Sequence, residues 1–204
     1  ALSGTDTAFT GRVGAVVKPI ETIAIYGNFA NSYTRPSILA QTPTANGPFP
    51  PEKGKQFEGG VKFELLNRKL FITSSVYQIN KTDVLVADPL FGPNGNNFNA
   101  LLQVGEVRNR GFDIDANGAI TRRWNFSANY SRINSQILKY NIASIIGKPM
   151  PNVPDNTFGF FTRYDVTGEI GIGFGGEFVG DRIEPFANLK SPSYKTFDLS
   201  YHHT

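Results

Sequence analysis

The sequence predicts an all-β chain, an antiparallel up-and-down meander of about nine long strands that forms part of a transmembrane β-barrel. Three observations lead there. Apolar and polar side chains alternate with period two over long stretches, connections alternate between short and long, and no window of the 204 residues carries the i, i+3, i+4, i+7 recurrence of an amphipathic helix. With 17 Phe and 8 Tyr, the composition favours strands. Apolar runs such as 84–87 and 142–146 fall far short of the roughly 18 residues that a spanning helix needs.

The first strand, at about 8–19, ends at a tight link from Pro19 to Glu21. The second, 22–34, runs into a Pro-, Gly-, Asn- and Thr-rich stretch, 35–54. In the third, 55–67, Phe57, Gly59, Val61, Phe63 and Leu65 alternate with Glu58, Gly60, Lys62 and Glu64, so one face is apolar and the other charged. A tight turn at Asn67 and Arg68 leads to the fourth, 69–87, which ends at DPLFGPNGNNFN, 88–99. In the fifth, 100–121, Phe112, Ile114, Ala116 and Ile120 stand against Asp113, Asp115, Asn117 and Ala119. A short link at 121–123 opens the sixth, 123–140, with Trp124, Phe126, Ala128 and Tyr130 opposite Asn125, Ser127, Asn129 and Ser131. A long segment, 141–154, separates it from the seventh, 156–167. The eighth, 169–182, follows a short link and sets Ile170, Ile172, Phe174 and Phe178 against Gly171, Gly173, Gly175 and Glu177. After a long connection, 182–192, comes the ninth, 194–204.

Several of these strands exceed the 3–10 residues usual in globular sheets. A soluble sandwich has water at both ends and no reason to keep every second turn tight. A barrel in a bacterial outer membrane does, because its periplasmic turns are short and its extracellular loops long. Lipid tolerates no free strand edge, and single-chain bacterial barrels have an even number of strands. Nine strands are therefore expected to be part of a larger barrel, with both chain ends cut from something longer.

Other chemistries fit poorly. The net charge of +3 comes with a pI near 9.1, but the basic groups, Arg68 with Lys69, Arg108 with Arg110 and Arg122 with Arg123, fall in separate segments. Read as scattered solvated charge, they make no nucleic-acid surface. Zero Cys excludes thiolate sites. Gly171, Gly173 and Gly176 satisfy GxGxxG, yet EFVGDRIEP follows where a dinucleotide site requires a helix; small residues on a strand's inner face account for them. Asp113 and Asp115 share a face and read as polar lumen wall. His202 and His203 are adjacent on a strand, so they cannot chelate one metal together. No GxSxG occurs, and an enzyme is not expected.

Four segments also resemble TonB-dependent siderophore receptors, specifically the ferrichrome and ferrioxamine receptor group. They are PPEKGKQFEGGVKFELLNRKLFITSSVYQINKTDVLVADP at 50–89, GEVRNRGFDIDANGAITRRWNFSANYS at 105–131, GKPMPNVPDNTFGFFTRYD at 147–165 and SPSYKTFDLSY at 191–201. The resemblance implies a 22-stranded outer-membrane barrel closed by an N-terminal plug, importing ferric siderophores with energy relayed by TonB. These residues would be strands 12 to 20, without the plug, the TonB-contacting region or the last two strands. No cofactor is implied; ferric iron is carried only as its siderophore complex. Implied partners are the ferric siderophore, TonB through the absent N-terminal region, and outer-membrane lipid.

On that reading Tyr33, Arg35, Phe49, Phe91, Phe98 and Phe186, near predicted extracellular ends, are the candidate ligand-binding residues: aromatics cover the apolar surface of a chelate, while Tyr and Arg donate to its oxygens. Tyr33 also suits an aromatic girdle, and the loop phenylalanines also suit packing within their own loops. Trp124, Phe126, Phe158 and Phe160 are read as lipid-facing, with Trp124 at the periplasmic interface. Two other classes remain open: a self-contained small barrel acting as porin or adhesin, and a soluble carbohydrate-binding β-sandwich.

Overall fold

A computed structural model describes residues 7–37, 49–87, 100–140, 142–185 and 188–203. Its strands are β1 (Arg12–Ile20), β2 (Ile23–Thr34), β3 (Glu52–Leu65), β4 (Leu70–Ala87), β5 (Leu101–Thr121), β6 (Trp124–Lys139), β7 (Asn156–Asp165), β8 (Ile170–Val179), the short β9 (Arg182–Glu184) and β10 (Leu189–Ser191), and β11 (Tyr194–His203). Nine of them form a single antiparallel sheet in the order β1-β2-β3-β4-β5-β6-β7-β8-β11, which is left open at β1 and β11. The meander expected from the turn rhythm is thus present in order. Missing from that expectation are the β9–β10 hairpin inside the last long connection and a 3₁₀ turn at Ala143–Ile145.

The tight turns have local causes. Ile20 pairs with Ile23 and Thr121 with Trp124, leaving two-residue links. Leu66, Asn67 and Arg68 all have positive φ, and the Lys69 amide closes this left-handed turn on the Leu65 carbonyl at 3.1 Å. Between β7 and β8 the Thr167 hydroxyl accepts from the amides of Glu169 (3.2 Å) and Ile170 (2.9 Å), a side-chain turn of the kind Thr supports.

Cross-strand register sorts the side chains into two faces. One face carries Ile25, Val61, Ile114, Tyr130, Phe158, Phe178 and their alternates, the other Tyr26, Gly60, Ser75, Asp113, Ser131 and Thr157. On the apolar face aromatic rings pair across strands: Phe29 with Phe57 at 4.9 Å, Phe112 with Tyr130 at 5.6 Å, Phe160 with Phe174 at 5.5 Å. Among the described residues no second layer covers them. Substantial contacts run only between ladder neighbours, and Phe57, Val76, Phe197 and Leu199 are more than half exposed. The accessible surface is 13421 Å², against roughly 9,400 Å² for a compact soluble chain of this mass. A sandwich would bury this face against itself; here only hydrocarbon can solvate it.

Two expectations about faces need correction. Gly171 and Gly173 lie on the polar face, but Gly176 pairs with Phe160 and Phe197 on the apolar one. A Cβ there would sit 2.8 Å from the Phe197 ring. The basic residues are not scattered either. Register places Lys55, Asn80 and Arg108 in one row, Lys53, Thr82 and Glu106 in the next, and Arg110 beside Gln78, with Arg132 beside Phe112. Lys53, Lys55, Arg108, Arg110 and Arg132 therefore share the outward face, Arg110 in the row of Phe57 and Arg132 in the row of Phe112 and the others further out.

Candidate functional site

The polar face of a membrane barrel lines its interior, and here it carries linked polar groups. Tyr26 donates its hydroxyl to Glu58 at 2.8 Å, and Gln56 donates to the other oxygen of Glu58 at 3.0 Å. Ser131 donates to Asp113 at 2.5 Å, and Lys62 sits 5.3 Å from the centre of the Tyr26 ring. Three aromatics on this wall are paired directly with glycine: Tyr26 with Gly60, Tyr77 with Gly111 and Phe161 with Gly175. A Cβ would stand 2.6 Å from Tyr26 at Gly60, 2.6 Å from Tyr77 at Gly111 and 2.9 Å from Phe161 at Gly175. Each ring folds over its glycine, so aromatics lie along the wall rather than across the interior.

At the opposite end from the tight turns, β4, β5 and β6 continue past the cationic rows. From between those rows outward, Val84, Val104, Val107, Ile137 and Ile145 form a buried cluster, with Val86, Tyr140 and Met150 packed against it. The segment 142–155 folds back on β6. Gly147 donates to the Ile137 carbonyl at 2.8 Å, Ile137 donates to Lys148 at 2.9 Å, and the Met150 amide reaches the Ser135 hydroxyl at 3.3 Å. Asn152, in left-handed backbone, donates to the Ile183 carbonyl at 3.1 Å, tying this loop to the β9–β10 hairpin. Asp181 holds the hairpin's return: Lys190 lies 2.6 Å from it, and the Ser193 amide donates to it at 2.7 Å. These contacts keep the Asp181 carboxyl below its ordinary range, the Lys190 hydrogen bond contributing most.

Of the six candidate ligand residues, Tyr33 stands at the end of β2 beside Lys53, on the outward face. Arg35 follows directly after β2, and Phe49 precedes β3 in a half-buried position. Phe91, Phe98 and Phe186 lie outside the described residues. Sequence reasoning missed the rim built by Ile137, Ile145, Met150 and Asn152; the run IASII inside a polar loop was its one legible signal. Among the described residues no three His, Asp or Glu side chains are grouped to hold a metal ion.

The rim also contains a titratable contact. Glu106 and Lys139 lie 2.8 Å apart beyond the belt. The hydrogen bond from Lys139, together with its charge, holds Glu106 below the usual carboxylate range, and Glu106 correspondingly raises Lys139. A depressed carboxylate contributes stability that is present above its unfolded pKa and is lost as pH falls through the folded value. Amide protection at the outer ends of β5 and β6 is therefore expected to weaken below the ordinary Glu range. Lys139→Met should flatten that dependence; hydrogen exchange as a function of pH checks it.

A one-layer sheet of long strands, tight at one end and looped at the other, with a hydrocarbon face and a polar wall, invites comparison with known barrels. The family described as TonB dependent receptor-like, beta-barrel matches residues 1–203. The chain belongs to the TonB-dependent receptor β-barrel family. Barrels of this family lie in the bacterial outer membrane, so the tight turns face the periplasm and the rim faces outward.

Among relatives of this family member, the probable TonB-dependent siderophore receptor PiuA of Acinetobacter baumannii is 30% identical over 93% of this chain and 27% of its own length. The metal-pseudopaline receptor CntO of Pseudomonas aeruginosa is 28% identical over 98% of this chain and 28% of its length. The ferrichrome outer membrane transporter/phage receptor of Escherichia coli K12 is 29% identical over 95% and 25%. In the crystal structure of the siderophore receptor PiuA from A. baumannii the same fold recurs with a TM-score of 0.76 and 26% identity, over 95% of this chain and 29% of that one. The chain thus spans about a quarter of the length of these relatives.

Proposed function

We propose that this chain is the later part of the barrel of a receptor that imports ferric siderophores across the outer membrane, energised through TonB. Membership of a receptor family whose matched relatives include named siderophore receptors is the observation that carries this reading. On this reading an N-terminal plug and the TonB-contacting segment precede these residues, and two strands follow them. The polar wall of Glu58, Asp113 and Ser131 is the surface the plug packs against. The rim formed by residues 142–155, 180–185 and 188–193 is one bank of the binding vestibule, with Tyr33, Arg35, Phe49, Phe91, Phe98 and Phe186 as its candidate ligand contacts. Chemistry on the cargo is no part of this role: recognition and passage suffice.

Growth of a gene-deletion strain under iron starvation, supplied with hydroxamate, catecholate and mixed siderophores singly, tests the proposal. Loss of one class, reproduced when TonB is deleted, is the expected result; undiminished use of every siderophore overturns the iron assignment. A second reading, uptake of another metal chelate, is favoured by the CntO relative and predicts that loss appears only when a different metal is limiting.

A further inference from the structure

We propose that the membrane-facing surface at the periplasmic end of β6, β7 and β8 is a binding site for an anionic phospholipid of the inner leaflet. Trp124, Thr162, Tyr164, Ile172 and Phe174 line a shallow depression of about 420 Å³ on the apolar face. Each of these strands has a paired neighbour on both sides, so the depression is not a product of the open edges.

Two of its polar groups bond within the protein. The Trp124 indole N–H donates to the Thr162 hydroxyl at 2.7 Å, and that hydroxyl donates to the Asn125 carbonyl at 3.1 Å. What remains is mostly ring and aliphatic surface, suited to an acyl chain, together with the Tyr164 hydroxyl, which suits the headgroup layer. Trp124 and Tyr164 are directly paired, the residue types that settle where hydrocarbon meets headgroups.

The charge beneath the depression selects the headgroup. Arg122 and Arg123 form the turn that leads directly into Trp124, and both are exposed. The Asp165 amide donates to the Arg123 carbonyl at 2.8 Å, fixing the turn beside the end of β7. Among the described residues the acids at this end are largely engaged: Asp165 lies 2.8 Å from Arg163, and Glu64 lies 3.3 Å from Arg68. No ion pair described involves Arg122 or Arg123. Glu169, in the next turn, and Glu21 stand against Lys18, Lys69, Arg122 and Arg123, so the periplasmic rim is cationic. Two guanidiniums at the interface beneath an aromatic-walled acyl groove fit a phosphodiester that keeps a net negative charge. A zwitterionic headgroup, whose ammonium would meet the same arginines, fits less well.

The site is independent of the cargo, and its test uses no siderophore. The full-length receptor that contains this chain is purified in detergent, offered equal dioleoyl phosphatidylglycerol and dioleoyl phosphatidylethanolamine, and examined by native mass spectrometry. Wild type is expected to retain phosphatidylglycerol preferentially. Arg122→Gln with Arg123→Gln should lower that retention roughly ten- to thirty-fold, whereas Arg122→Lys with Arg123→Lys should largely keep it. Trp124→Ala should reduce retention of both lipids. Equal retention of the two lipids by wild type, or unchanged phosphatidylglycerol binding in the double glutamine variant, overturns the proposal. The lysine pair keeps the test decisive if the glutamine variant fails to insert.

Discussion

Replacing Ile114 with Arg in the full-length receptor is expected to reduce folding into lipid vesicles by about 2–4 kcal/mol, while Asp115→Arg, one residue away, is expected to change it by less than about 1 kcal/mol. Ile114 lies mid-belt between Ser74 and Tyr130 on the apolar face, and Asp115 lies between Thr73 and Asn129 on the polar wall. Both are exposed in the sheet, so burial within the protein cannot distinguish them; only their solvents differ. Hydrocarbon offers an Arg neither hydrogen-bond partners nor dielectric screening, whereas a water-accessible interior offers both. Urea titration of the vesicle-inserted protein measures the difference. Equal penalties at the two positions would mean that the two faces share one environment, and the barrel assignment would fail with them.

The second large effect is expected at the rim. Ile137→Ala removes a fully buried side chain, 0% exposed, from the cluster with Val104, Val107 and Ile145. Truncating a buried Ile to Ala typically costs about 2–5 kcal/mol, depending on how far the neighbours collapse into the space. Because the cluster sits at the outer ends of β4, β5 and β6 and packs against the returning loop, the loss should be local. Hydrogen exchange is expected to rise at 104–107, 137–140 and 145–150 while amides in the belt stay protected. Exchange that rises uniformly through β5 and β6 would show the rim to be continuous with the spanning ladder rather than a separately packed unit. Under the proposed function this variant also loosens the loop–hairpin link at Asn152 and Ile183, and siderophore affinity should fall more than receptor abundance.

These expectations rest on information of two kinds. Strand existence, the meander and the distinction between lipid and lumen faces were legible in the chain, because period two is a local property: Phe57 to Leu65 declares both of its faces without reference to any partner. The rhythm of tight and long connections was equally local, and so was the identity of Trp124 as an interface residue. Contact with a ligand is not a local property. Tyr33 and Arg35 were chosen for lying near a strand end, but whether such a residue meets cargo, headgroups or its own loop depends on which strands flank it.

The chain by itself settled how each strand divides its residues between two solvents, since that follows from alternation alone. Tertiary structure decided which residues meet across strands. It gathered Lys53, Lys55, Arg108, Arg110 and Arg132, dispersed along the chain, onto one outward face and built a hydrophobic rim from three strands and a returning loop. Register is a non-local quantity: sliding a strand by two residues preserves every face and changes every neighbour, so alternation cannot encode it.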